Sequence, residues 1–254
     1  MARAIIDQLP NESIIYVGDT ANSPYGPKSI QEVRELALGV MDRLVDEGVK
    51  LLVIACNSAS AAVLRDARER YTEGRGIPVV EVIQPAVRRA VASTRNRKIG
   101  VIGTNATIAS GAYDDAFAAA VDLQISSEAC PRFVEFVERG RTSGPEVTLL
   151  AQRMLAPIID AKVDALLLGC THYPYLARVI SDVVGLDVTL VSSADETAFA
   201  LRDQLDHQHM LRKEAGYLGR HTFMSSGDVS WFKALGTRLL GPELSNVDIW
   251  NKGN

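Results

Sequence analysis

The 254-residue chain has the composition of a globular protein, because 47% of its residues are hydrophobic and only 23% are charged. Its formal net charge of −4, with Lys and Arg scattered along the chain, excludes the basic surface that direct binding of nucleic acid requires. No apolar run approaches membrane-spanning length and the first ten residues do not resemble a secretory signal, so we expect a cytoplasmic protein that acts on a small molecule.

Short apolar, β-branched runs alternate with amphipathic helical segments along the chain. The predicted strands, in chain order, are 14–17, 51–54, 79–82, 99–102, 165–168 and 188–191. The predicted helices between them include 30–47, 59–71, 144–161 and 175–184. This β-α-β alternation predicts an α/β fold with doubly wound parallel sheets, in which ligands bind at the carboxyl ends of the strands.

Two stretches of the chain match each other. Residues 49–56 resemble residues 163–170, and in both a cysteine ends the stretch where a strand is followed by a helix. The match predicts two similar domains related by pseudo-two-fold symmetry, with the active site in the cleft between them. We expect the first domain to comprise residues 1–84 plus 195–254, and the second to comprise residues 85–194.

The two halves differ at their beginnings. The second half opens with a strand near residue 98 and a helix around residues 113–120, which lead to a strand at 123–126. The first half has no counterpart of the opening strand, and its residues 2–9 match only the end of the helix. Internal symmetry therefore predicts a first domain that lacks one strand and one turn at its N-terminal side.

Cys56 and Cys170 occupy the matched positions, whereas Cys130 has no symmetric partner and is interpreted as structural. A thiol where a strand gives way to a helix meets the positive end of the helix dipole, which can lower its pKa. Either cysteine alone is more simply explained as a small core residue. As a pair, they supply what inversion of an α-carbon needs, a proton carrier on each face of the substrate.

The cysteine pattern and the motifs present predict an enzyme without metal or cofactor. Three widely spaced cysteines without Cys-x-x-Cys spacing disfavour a zinc site and a disulfide framework. No lysine motif indicates pyridoxal phosphate and no Gly-x-Gly-x-x-Gly turn indicates a dinucleotide. Asn57, Ser58 and Thr171 can bind a carboxylate and an amino group. His172 either assists Cys170 or is only hydrogen-bonded in its loop.

Three motifs resemble bacterial glutamate racemase, a member of the aspartate/glutamate racemase family. They are Cys56-Asn-Ser-Ala, Gly169-Cys-Thr-His-Tyr-Pro and the segment 17–26, and the likeness extends over nearly the whole chain, including residues 130–138. The resemblance implies a cofactor-independent isomerase that interconverts L- and D-glutamate and supplies D-glutamate for peptidoglycan and hence for cell wall and cell shape. It also implies a homodimer.

The resemblance also assigns roles to individual residues. It implies that Cys56 acts on the D-enantiomer and that Cys170, aided by His172, acts on the L-enantiomer, with Glu138 assisting proton transfer. The residues implied to contact glutamate are Tyr25, Gly26, Asn57, Ser58, Thr171 and His172, together with Thr104 and Thr107.

The chain departs from the family at its beginning. The family opens with a strand that ends in Asp-Ser-Gly-x-Gly-Gly, and this chain has neither the strand nor the motif. We therefore expect that the natural protein is longer, and that the chain as given is poorly stable and weakly active. Two alternatives are a racemase of aspartate or related amino acids, which His172 disfavours because aspartate racemases carry Glu there, and a non-catalytic regulator that binds DNA gyrase.

Overall fold

The computed structural model describes residues 1–214, 216–241, 244 and 246–250. The helices are α1 (Ala2–Gln8), α2 (Ile30–Asp46), α3 (Asn57–Ala67), α4 (Ile83–Ser93), α5 (Asn105–Ala109), α6 (Ala112–Phe117), α7 (Arg132–Glu138), α8 (Pro145–Asp160), α9 (Ala177–Val184), α10 (Ser193–His207) and α11 (Val229–Leu240). The strands are β1 (Ile14–Gly18), β2 (Leu52–Ile54), β3 (Val79–Glu81), β4 (Lys98–Gly103), β5 (Gln124–Ala129), β6 (Ala165–Gly169), β7 (Thr189–Ser192), β8 (His221–Ser225) and β9 (Asp248–Ile249).

The second half contains a continuous four-stranded parallel sheet in the order β5-β4-β6-β7. Leu166 and Leu168 pack against α7, α8 and α9 on one face, while Ala165 and Leu167 pack against α4 and α6 on the other. Alternate residues of β6 are therefore buried on opposite faces, as expected for a central strand of a doubly wound sheet. The predicted α/β fold with parallel sheets is confirmed.

The first half is divided into two smaller parallel sheets, β1-β8-β9 and β2-β3. Within the described residues, β1 pairs only with β8 and β2 pairs only with β3, so the two facing edges of β1 and β2 have no strand between them. The sequence did not predict three elements of this half: β8, which pairs with β1, β9, which pairs with β8, and α11, which lines the cavity described next. The boundaries of the two domains at 84/85 and 194/195 stay a prediction.

A cavity of about 990 Å³ lies between β1 and β2 and continues to their carboxyl ends. Side chains from α1 and α10 cover it on one face, and side chains from α2 and α11 line it as well. The place where internal symmetry predicts an absent strand is thus an apolar gap, which we call the strand gap, lined by residues 14–18 and 51–55.

Two predicted helices begin or end differently in the structure. The predicted helix at 59–71 begins earlier, at Asn57, and its end is the π-helical turn Arg68–Glu73. The predicted helix at 175–184 is a 3-10 turn, Tyr173–Leu176, followed by α9. Cys170 is therefore separated from the first helical turn by two residues and does not itself begin a helix. Within the part of the chain that the structure describes, no helix has the length and apolarity needed to cross a bilayer.

Candidate active site

The two matched cysteines line the same cavity, at the end that adjoins the strand gap. Cys56 lies just beyond β2 in an extended conformation and is the N-cap residue of α3. Cys170 follows β6 directly and is buried, with 7% of its surface exposed. Because β2 and β6 are parallel strands of the two matched halves, both thiols are delivered at strand carboxyl ends, where doubly wound folds bind ligands.

Burial decides the acidity of Cys56. It raises the pKa of the Cys56 thiol, and the nearby Cys170 raises it further, while hydrogen bonds from Ala59 and Ser58 act in the opposite direction. The backbone N–H groups at the start of α3 do lower this pKa, as the sequence predicts, but burial outweighs them, so the expected net lowering does not occur. The free energy needed to remove a thiolate from water exceeds the stabilisation that the start of one helix provides. Cys56 is therefore a protonated thiol at neutral pH.

His172 lies between Cys170 and Glu138. Its Nδ1 is 3.8 Å from the sulfur of Cys170, and its Nε2 is 3.3 Å from Oε1 of Glu138, the last residue of α7. Burial alone would lower the pKa of His172, but hydrogen bonds to Cys170 and Glu138 and their negative charges outweigh it and raise the pKa to about 10. The imidazole is therefore protonated on both nitrogens at neutral pH, with one N–H available to each neighbour.

A cluster of three buried hydroxyls joins the two halves at the cavity. Ser58 Oγ lies 3.0 Å from Thr104 Oγ1 and 3.2 Å from Thr107 Oγ1, and the two threonine oxygens are 3.1 Å apart. Gly26 packs onto the same cluster: its carbonyl accepts a hydrogen bond from Ala106 N–H, and an added Cβ would lie 3.0 Å from the Cβ of Thr104. The predicted binding residues Gly26, Ser58, Thr104 and Thr107 are thus brought together.

Asn57 is buried at the cavity, with 3% of its surface exposed. Its Oδ1 accepts a 2.6 Å hydrogen bond from the hydroxyl of Tyr113, and its Nδ2 has no hydrogen-bond partner among the described residues. A buried amide N–H without a partner is costly, so Nδ2 is a donor available to a ligand. Tyr113 was not predicted, because in the sequence it is indistinguishable from the other apolar residues of α6.

Tyr25 and Thr171 also line the cavity. Tyr25 is held in place by Asp19, a residue that was not predicted from the sequence. Asp19, directly after β1, accepts hydrogen bonds from Tyr25 (2.7 Å), Asn22 (2.8 Å) and Ser226 (2.6 Å). Burial and the bond to Asp19 raise the pKa of Tyr25, which keeps its hydroxyl a donor. A carboxylate at the carboxyl end of a strand was a signal that could have identified Asp19.

Cys130 lies apart from the cavity. It is completely buried, its carbonyl accepts a 2.9 Å hydrogen bond from Tyr173, and burial raises the pKa of its thiol to about 12. A buried thiol of this kind is chemically inert. Among the described residues, no three His, Cys, Asp and Glu side chains are grouped so that they could hold a metal ion.

The Asp/Glu/Hydantoin racemase family model matches residues 1–201. The chain is 59% identical to a glutamate racemase of Beutenbergia cavernae over 255 residues, which cover 97% of this chain and 87% of that protein. The crystal structure of a glutamate racemase isoform from Bacillus anthracis is similar to this structure, with a TM-score of 0.93 and 39% sequence identity. The match covers 98% of this chain and 92% of the Bacillus anthracis chain.

A second solved structure, glutamate racemase of Francisella tularensis in complex with D-glutamate, is similar with a TM-score of 0.90 and 31% identity. It covers 99% of this chain and 92% of that chain. In all three comparisons the likeness therefore extends over nearly the whole of this chain, including the segments that carry the cavity residues.

Proposed function

The chain belongs to the Asp/Glu/hydantoin racemase family and, within it, to the glutamate racemases, which are isomerases; on that premise we propose that it interconverts L- and D-glutamate by proton transfer between the substrate and two thiols, Cys56 and Cys170. The observation that carries the mechanism is that these two cysteines, matched by the internal duplication, line one cavity. Inversion requires a base on one face of the α-carbon and an acid on the other, and the roles exchange in the reverse reaction.

The pKa shifts of Cys56 and His172 support an assignment of which thiol is the acid and which is the base in each direction of the reaction. Cys56 holds its proton at neutral pH, because burial raises the pKa of its thiol. It is therefore the acid when L-glutamate is consumed. In that direction Cys170 takes the α-proton, and the doubly protonated His172 lies with its Nδ1 3.8 Å from the sulfur that receives it. Glu138 holds His172 in place through its 3.3 Å contact with Nε2.

Neutral donors around the thiols bind the substrate in this proposal. The unpartnered Nδ2 of Asn57 and the hydroxyls of Ser58, Thr104 and Thr107 offer hydrogen bonds to carboxylate oxygens. The N-terminus of α3 adds backbone N–H groups and a positive partial charge beside Cys56. Tyr25, Gly26 and Thr171 complete the lining. The product, D-glutamate, is the form that peptidoglycan synthesis uses, which is the cellular role we propose.

The test is exchange of the α-proton of each glutamate enantiomer into deuterated water, followed by NMR, because it detects proton transfer even when net turnover is slow. We expect the parent chain to exchange the α-proton of both enantiomers and to form the opposite enantiomer. Cys56→Ala and Cys170→Ala should each abolish racemization, because one face of the substrate then lacks its proton carrier.

Cys130→Ala is the matched control, since it removes a thiol of the same chain that lies outside the cavity. It should retain racemization, apart from any loss of folded protein. The two-thiol mechanism would be wrong if Cys56→Ala or Cys170→Ala kept near-parental turnover. Exchange with L-aspartate and not with glutamate would instead support the alternative substrate.

A further inference from the structure

We propose that Arg238 of α11 is a positioning residue for the Cys170 side of the reaction, because it holds the end of α7 and thereby keeps Glu138 against His172. This inference deepens the proposed two-thiol mechanism and rests on it. α11 follows β8, which pairs with β1, whereas α7 and His172 adjoin the strands of the four-stranded sheet. Arg238 therefore acts from one half of the molecule on the other.

Arg238 donates hydrogen bonds to the last turn of α7. Its Nη2 lies 2.7 Å from the carbonyl oxygen of Glu138 and 3.4 Å from that of Val137. The last carbonyl groups of a helix have no donors within the helix, and a cation beside them also interacts favourably with the negative end of the helix dipole. The guanidinium therefore stabilises the final turn of α7, whose last residue is Glu138.

Gly140, in the turn after α7, leaves room for this contact. Its φ is +72°, a conformation that favours glycine. A Cβ at this position would lie 2.7 Å from Nη1 of Arg238, well inside the usual separation of non-bonded atoms of about 3.5 Å. The guanidinium therefore occupies space that a larger residue at position 140 would take.

The next residue of α11, Leu239, contacts the turn that follows His172. The carbonyl of Leu239 accepts a 3.3 Å hydrogen bond from the hydroxyl of Tyr175, and its side chain packs against the apolar core beneath α7. Tyr175 belongs to the 3-10 turn Tyr173–Leu176, which begins directly after His172. Two consecutive residues of α11 are thus bonded to the two elements that hold Glu138 and His172.

The contact between Glu138 and His172 is the interaction that this arrangement preserves. It joins Oε1 to Nε2 at 3.3 Å, and the groups that raise the pKa of His172 are Cys170 and Glu138. If α7 shifts, this contact lengthens and the pKa of His172 falls. Loss of the positive charge of Arg238 would have the opposite effect, because a nearby cation disfavours the imidazolium. The sign of the change therefore distinguishes positioning from a direct effect of charge.

The experiment replaces Arg238 by Met, a flexible side chain without charge or donors, and titrates the four histidines by NMR. The His172 signal is the one that is missing in His172→Asn. In Arg238→Met the pKa of His172 should fall by about one pH unit. The kcat from L-glutamate should fall by about tenfold, and the kcat from D-glutamate should fall less. In the His172→Asn background, Arg238→Met should cause no further loss of kcat, because Arg238 acts through His172.

Two further variants serve as controls. Arg238→Lys keeps a cationic donor beside the end of α7 and should retain more of the parental kcat than Arg238→Met. Lys233→Met, at an exposed position of the same helix, should leave the pKa of His172 and both kcat values unchanged. A pKa of His172 that is unchanged or raised in Arg238→Met would overturn the proposal, as would equal losses of kcat in both directions. Because the titration needs no turnover, a lowered pKa of His172 together with a fully active Cys56→Ala would uphold the positioning of His172 and reject the two-thiol mechanism.

Discussion

The hydroxyl of Tyr113, on α6 in the second half, donates a 2.6 Å hydrogen bond to Oδ1 of Asn57, at the start of α3 in the first half. Burial raises the pKa of Tyr113 well above its ordinary value, so the hydroxyl remains a donor at neutral pH. With Oδ1 occupied, the amide of Asn57 can present only Nδ2 to a ligand. The bond therefore fixes the orientation of a side chain that we propose to bind substrate.

Replacing Tyr113 by Phe should weaken substrate binding. The ring, which is 2% exposed, keeps its place, and only the hydroxyl is lost. One neutral hydrogen bond contributes about 1 kcal/mol, so the KM for glutamate should rise by about 2- to 10-fold with a smaller change in kcat. α-Proton exchange rates over a range of glutamate concentrations give both constants.

Tyr71→Phe is the matched control for that substitution. Tyr71 is equally buried and donates its hydroxyl to Asp42 at 2.8 Å, but it does not line the cavity. It should lower the stability and leave KM unchanged. A Tyr113→Phe variant with parental KM and reduced kcat would show that Tyr113 does not act through Asn57 on substrate binding.

His172→Asn should slow one direction of racemization more than the other. Only Cys170 loses its partner, since the imidazole lies 3.8 Å from that sulfur. We expect kcat from L- to D-glutamate to fall by about 10²-fold and the reverse kcat to fall less. Because the two enantiomers are equally stable, kcat/KM must fall equally in both directions, so KM for L-glutamate must fall relative to KM for D-glutamate by the same factor as the two kcat values diverge. Equal loss of kcat from both sides would indicate a role in binding or folding.

The pair of His172 and Glu138 predicts a dependence of stability on pH. The folded-state pKa of His172 is about 10, above its ordinary value of 6.5, so its contribution is fully present below pH 6.5 and is lost as the pH rises toward 10. The difference in free energy of unfolding between the parent and His172→Asn should be constant below about pH 6 and shrink above it.

Urea unfolding between pH 5.5 and 9.5 measures this difference. His207→Asn, at the exposed end of α10, is the matched control for loss of an imidazole outside the cavity. A parent-minus-variant difference that stays flat from pH 6 to 9.5 would contradict the raised pKa of His172.

The strand gap predicts unequal stability of the two halves. Val53 and Leu167 occupy matched positions, but Leu167 is hydrogen-bonded within a sheet that continues on both sides of β6, whereas β2 has a neighbour on one side only. The amide of Val53 should therefore exchange with solvent at least about tenfold faster than that of Leu167 in native-state hydrogen exchange. Equal protection at the two positions would mean that some other segment covers the edge of β2.

The sequence alone was sufficient to predict the seven parallel strands β1 to β7 and the positions of the two cysteines beyond β2 and β6. Strand and helix patterns are local, because the alternation of apolar residues follows from the geometry of each element. The match between residues 49–56 and residues 163–170 could likewise be recognised without the structure. Because similar segments fold alike, it predicted equivalent positions for the two cysteines. The same comparison predicted the gap between β1 and β2, because the first half has no segment that corresponds to the strand near residue 98 of the second half.

Only the tertiary structure decided how the cavity groups act on one another. The bond between Tyr113 and Asn57 joins residues 56 positions apart, and no local pattern indicates such a contact. The acidity of Cys56 was predicted with the wrong sign, because the helix dipole can be read from the sequence whereas burial depends on what packs around the thiol. β8 was missed for a similar reason: its place beside β1 is set by pairing with a strand about 200 residues earlier in the chain.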